Sequence, residues 1–85
     1  ILAFLSTLPN DKPHLIVVPT SLLFNWKNEI ARFLPSYRCC LHQGPLRAKN
    51  VDGFTPSDII LTSYTTLRID LSLFRSLEWG AILLD

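Results

Sequence analysis

His14-Leu15-Ile16-Val17-Val18-Pro19-Thr20-Ser21-Leu22, continued by LFNWKNEIARFLP over residues 23–35, is the stretch from which the fold is read. Leu15 to Val18 form an unbroken apolar run, the pattern of a strand buried on both faces in a parallel sheet. Pro19-Thr20 ends the run, and the period then changes. Leu22, Trp26, Ile30, Phe33 and Leu34 fall on one stripe, with Lys27, Asn28 and Arg32 off it. Residues 21–34 therefore read as an amphipathic helix. Thr20 or Ser21 is the expected N-cap and Pro35 the stop.

The same alternation extends outward. Tyr37–His42 is a second strand, more polar than the first and so expected at a sheet edge. Residues 43–57 hold Gly44-Pro45, Asp52-Gly53 and Pro56, and read as loop. Ile59–Thr62 is a third buried strand. Ser63–Phe74 reads as one or two short helices, with Leu67, Leu71 and Phe74 at helical spacing, and Ala81–Leu84 is a fourth strand. Upstream, Ile1–Leu8 reads as a helix already in progress. An uncapped start and a buried strand at the other end predict a piece cut from a larger domain. Strands separated by helices give the fold class: α/β, with a four-stranded parallel sheet and flanking helices.

Composition sets bounds. The chain has 85 residues, 48% of them hydrophobic and 18% charged, with a net charge of +1. That size allows one small domain with a thin core. That charge neither advertises nor excludes a local phosphate site. Apolar runs of four to six residues exclude a helical membrane span. Cys39 and Cys40 are neighbours that point to opposite faces of a strand, so they read as apolar fillers in a reducing, intracellular setting. His14 and His42 lack partners at metal-ligand spacing and read as structural. Arg32, Arg38, Arg47 and Lys49 read as ordinary solvated charges.

Ligands of open parallel sheets bind beyond the carboxyl ends of the strands. Three strands here end in residues suited to that position: Pro19-Thr20-Ser21, Thr62-Ser63-Tyr64 and Asp85. Four apolar residues and then an acid is the pattern of a Walker B carboxylate aimed at Mg²⁺ on nucleotide phosphates, although many strands end in Asp for turn reasons. Thr20 and Ser21, before a helix N-terminus, suit a phosphate or serve only as a cap. Thr62, Ser63 and Tyr64 offer the same choice between phosphate contact and packing.

The order of these blocks resembles the Swi/Snf-type DNA-translocating ATPases, a helicase-like group within superfamily 2. HLIVVPTSLLFNWKNEIARFLP is similar to their motif Ia at Pro19, Ser21, Leu22, Asn25, Trp26 and Glu29. DIILTSYTTLRID resembles motif Ib at Thr62, Ser63, Tyr64, Leu67, Arg68 and Asp70. WGAILLD resembles the start of motif II, with Asp85 as its first acid. The Asn-Trp and Thr-Ser-Tyr blocks favour this group over another superfamily 2 helicase.

The resemblance implies a three-layer, RecA-like partial domain: residues 1–85 as part of the first motor lobe, truncated at both ends. Its strands would be ordered Tyr37–His42, Ile59–Thr62, Leu15–Val18, Ala81–Leu84. It implies double-stranded DNA as partner, met at its backbone by Thr20, Ser21, Thr62 and Ser63 without sequence reading. The remainder of the same motor would be a second partner. ATP and Mg²⁺ would be the cofactors of the whole protein, with Asp85 as the magnesium-associated acid and none bound by this piece alone. Asn25, Trp26 and Tyr64 receive structural roles, Trp26 as packing on the sheet. The setting would be intracellular: nucleoid in a bacterium, nucleus in a eukaryote. A Gly-x-x-x-x-Gly-Lys-Thr loop, the second acid of motif II and an arginine finger do not occur in these residues. No catalytic set is complete, and these residues alone are expected to be inactive. A non-catalytic DNA-binding remnant is the alternative.

Overall fold

The computed structural model describes residues 2–8, 11–54 and 57–85. Its elements run α1 (Leu2–Leu5), β1 (His14–Val18), a 3₁₀ turn (Thr20–Leu22), α2 (Leu23–Phe33), β2 (Cys39–His42), a second 3₁₀ turn (Val51–Phe54), β3 (Ile59–Ser63), α3 (Tyr64–Ile69), α4 (Leu71–Arg75) and β4 (Ile82–Leu84). The four strands form one sheet ordered β2-β3-β1-β4, and every pairing is parallel. That is the order the resemblance implies.

Burial explains the two unbroken apolar runs. All five residues of β1 and all five of β3 are buried, because both strands are interior and covered on both faces. Alternate side chains serve opposite layers. Ile16, Val18, Ile59 and Leu61 join Leu5 of α1 and Leu23 and Ile30 of α2. Leu15, Val17 and Ile60 meet Phe54 and Phe74 on the other side. Each such side chain contributes about 1.5–3 kcal/mol relative to an exposed one. Phe54, from the segment read as loop, is fully enclosed: its ring stacks on Phe74 at 5.5 Å between centroids. A single aromatic in a Gly- and Pro-rich stretch carries no periodicity, so its core role is invisible in the sequence.

Cys39 and Cys40 divide between the same two layers. Both are free thiols. Burial pushes the Cys39 thiol up to about 11 and raises that of Cys40 as well. Neither is an activated thiolate.

The expected N-cap is replaced by another device. Neither Thr20 nor Ser21 makes a side-chain cap at the helix entry. The Pro19 carbonyl accepts the Leu22 N–H at 2.9 Å, and the Leu23 N–H bonds to the Thr20 carbonyl. A tight 3₁₀ turn thus satisfies these N–H groups with backbone carbonyls and leaves both hydroxyl side chains on the surface. At the far end Leu34 (φ −130°, ψ 61°) leaves helical geometry, as a residue before proline must.

Candidate functional site at the carboxyl edge of the sheet

Parallel register brings the strand ends together. Val18 lies beside Ser63, Val17 beside both Thr62 and Leu84, and Thr62 beside His42. The turns leaving β1, β2, β3 and β4 therefore share one edge. Thr20 and Ser21 lie two and three residues beyond the end of β1 and are exposed. Asn25 is exposed on α2.

Thr62 and Ser63 occupy a different environment. They are still within β3, between two neighbouring strands, and both are fully buried. The Thr62 hydroxyl donates to the His42 carbonyl at 2.8 Å. The Ser63 hydroxyl caps α3 by accepting the Thr66 N–H at 3.1 Å, and it lies 3.1 Å from Gln43 Oε1. Thr66 donates to the same Gln43 oxygen at 2.6 Å. This polar knot fastens the β3–α3 turn to the end of β2. As placed, the two hydroxyls expected to face a ligand are turned inward.

Asp85 follows β4 and continues its ladder, with its N–H bonded to the Val17 carbonyl at 2.9 Å. Its side chain is exposed. The Trp26 indole N–H donates to Asp85 Oδ2 at 3.0 Å, and the Tyr64 hydroxyl donates to the Asp85 carbonyl at 2.5 Å. Trp26 also packs, half-buried, against the α1–α2 layer. Packing accounts for its ring, but not for the polar contact to a residue 59 positions away.

A charged cluster that the sequence reading passed over lies behind this edge. Arg47 grips Asp70 through Nε at 2.6 Å and a second nitrogen at 3.2 Å, and donates to the Gly44 carbonyl at 2.8 Å. His42 Nε2 sits 2.8 Å from the same carboxylate, its ring edge-on to Phe54 and Phe74. The Arg47 hydrogen bond, then that of His42, hold the Asp70 carboxyl well below its usual range, at about 2. An ionised Asp70 can only accept, so His42 Nε2 carries the proton. Arg47 is thus a structural tether rather than a solvated charge, whereas Arg38, as expected, stays largely in solvent and meets Asp58 only at 3.4 Å. No local signal in the sequence links residues 42, 47 and 70. Only the fold makes them neighbours.

Among the described residues, no group of three or more His, Cys, Asp or Glu side chains is arranged to cage a metal. A lone exposed carboxylate at a strand's carboxyl end instead suits Mg²⁺, which is held by one or two carboxylates together with phosphate oxygens and water. The donor set therefore fits a nucleotide-borne magnesium ion.

A four-stranded parallel sheet with its two interior strands covered on both faces, and with β4, expected to be buried, exposed at Ile82 and Leu84, carries polar turns and an acid at its carboxyl edge and defines a partial RecA-like α/β domain. Residues 2–85 match the family model of the SNF2-related domain, and the chain belongs to that family. It is 41% identical over 76 residues to the "Putative ATP-dependent helicase/translocase YwqA" of Bacillus subtilis, covering 86% of this chain and 8% of that protein. Over 85 residues it is 29% identical to the "Chromatin-remodeling ATPase INO80" of Schizosaccharomyces pombe, covering 86% of this chain and 5% of that protein. Over 78 residues it is 37% identical to "Helicase SWR1" of Yarrowia lipolytica, covering 86% of this chain and 4% of that protein. The chain thus spans less than a tenth of the length of these relatives. Among the described residues no helix is long and apolar enough to cross a membrane.

Proposed function

We propose that residues 1–85 are part of the first motor lobe of an ATP-dependent double-stranded-DNA translocase acting inside the cell. The observation that carries this reading is the shared carboxyl edge. Asp85 stands there on β4, hydrogen-bonded to Trp26, one helical turn beyond the exposed Thr20–Ser21 turn. The acid and the hydroxyls are thereby joined by one short helix.

Thr20 and Ser21 meet phosphates of one DNA strand directly. Contacts to the backbone set position without reading sequence, as movement along any duplex requires. Thr62 and Ser63 serve the same surface from beneath, by fixing the β3–α3 turn through Gln43, Thr66 and the His42 carbonyl. Asp85 would hold the magnesium ion that accompanies ATP. When bound there, the ion would supply neutralisation of the charge that develops on the phosphates during transfer. The chain's contribution is to aim one carboxylate oxygen from a rigid strand end. The other catalytic groups, together with the second lobe, are supplied by the remainder of the motor, and the 85 residues alone turn over no ATP.

The test is Asp85→Asn in the full-length protein. Loss of magnesium-dependent ATP hydrolysis by about 100-fold or more, with duplex affinity retained, is the expected result. Unchanged hydrolysis would remove Asp85 from the site. Binding of the wild-type protein to duplex DNA should weaken steeply with salt and be indifferent to sequence.

A further inference from the structure

The hydrogen bond from Trp26 to Asp85 is not required by packing. Phenylalanine would fill the same half-buried position against Ile30 and the sheet. Indole adds one N–H, which can only donate, and the structure points it at a carboxylate oxygen 3.0 Å away. It takes Oδ2 of an exposed side chain. Tyr64, at the start of α3, holds the main chain of the same residue, so Asp85 is met at its side chain from α2 and at its backbone from α3.

The Trp26 side of this clamp is continuous with the Thr20–Leu22 turn. Leu23 bonds back to Thr20, and α2 runs unbroken from Leu23 to Phe33. Trp26 lies one turn after Leu22 on that helix. The turn and the indole thus belong to one continuous hydrogen-bonded stretch of backbone.

We propose that Trp26 is a positioning residue, setting the aim of the Asp85 carboxylate and linking that aim to occupancy of the Thr20–Leu22 turn. The proposal rests on the assignment of Asp85 to the magnesium site. Engagement of DNA at one end of α2 is then felt at the nucleotide through a single hydrogen bond.

The experiment compares wild type, Trp26→Phe, Trp26→His and Asp85→Asn in the full-length protein. Binding of a fluorescent ADP is titrated with Mg²⁺ without turnover, and ATP hydrolysis is measured with and without duplex DNA. Trp26→Phe should raise the Mg²⁺ needed for half-maximal nucleotide binding by about fivefold, the loss expected for one exposed hydrogen bond to a charged group. It should also reduce the stimulation by duplex DNA while leaving duplex affinity and the unfolding midpoint in place. Trp26→His keeps a ring N–H and should recover part of both losses. An unchanged Mg²⁺ requirement in Trp26→Phe would overturn the proposal, as would equal losses in the Phe and His variants that follow their unfolding midpoints. If Asp85→Asn loses Mg²⁺-dependent binding while Trp26→Phe behaves as wild type, the positioning role alone falls. If Asp85→Asn binds as wild type, the magnesium site itself is misassigned.

Discussion

Thr20-Ser21 and Thr62-Ser63 are the same dipeptide at the end of adjacent strands, and the structure gives them opposite fates. The first pair is exposed beyond β1, in a turn capped by backbone carbonyls. The second pair is fully buried within β3, its hydroxyls bonded to the ends of β2 and α3. The difference is one of register. β1 and β3 end level, with Val18 beside Ser63, so Thr62-Ser63 are the last two ladder positions of β3 whereas Thr20-Ser21 follow Pro19 beyond the end of β1. Hydroxyls past the sheet are left in solvent, while hydroxyls inside it must find partners in the protein. Residue type alone does not assign a phosphate contact.

That contrast can be broken at the buried pair. The largest effect is expected behind it, at the charged cluster. Asp70→Ala leaves His42 and Arg47 without their shared acceptor, and should destabilise the chain by about 2–3 kcal/mol in urea unfolding. The loss has a defined pH dependence. The Asp70 carboxyl is held down to about 2 in the folded state, so its contribution is present in full above the unfolded value near ~4. It disappears as pH falls from there through about 2. Wild type and Asp70→Ala should therefore converge in stability across that window, and a gap that persists below it would exclude the carboxylate as the cause.

Next in size is Ser63→Ala, which removes a helix cap and a link to Gln43. A cost of about 1–2 kcal/mol is expected, together with faster amide exchange at Thr66. The smallest effect on stability belongs to Ser21→Ala, within about 0.5 kcal/mol. Its consequence should appear instead as weaker duplex binding at fixed salt, with a lower salt slope for Ser21→Asp. If Ser21→Ala destabilised the fold as much as Ser63→Ala, the contrast between the pairs would collapse.

Much of the architecture was legible. The Leu15–Val18 and Ile59–Leu61 runs mark interior strands because only a strand covered on both faces has no need of alternation. The stripe Leu22, Trp26, Ile30, Phe33 and Leu34 marks α2, although Phe33 is exposed and Leu23, off the stripe, is buried. Asp85 was legible as a strand-end acid. Thr20 as a cap was not confirmed, because a 3₁₀ turn does the capping. Phe54 was missed because one aromatic in a loop has no period. Arg47 was misread as solvated because its partner, Asp70, lies 23 positions away.

Local pattern therefore determined which segments of this chain become strands and helices, since burial on one face or two imposes a period that residues i to i+4 already display. It also determined the family, through the ordered blocks around Trp26, Tyr64 and Asp85. Tertiary structure alone decided which hydroxyls face outward, that His42 and Arg47 share the Asp70 carboxylate, and that Trp26 holds Asp85. Those outcomes depend on register and on contacts between residues 20 to 60 positions apart, and a sequence carries no local signature of either.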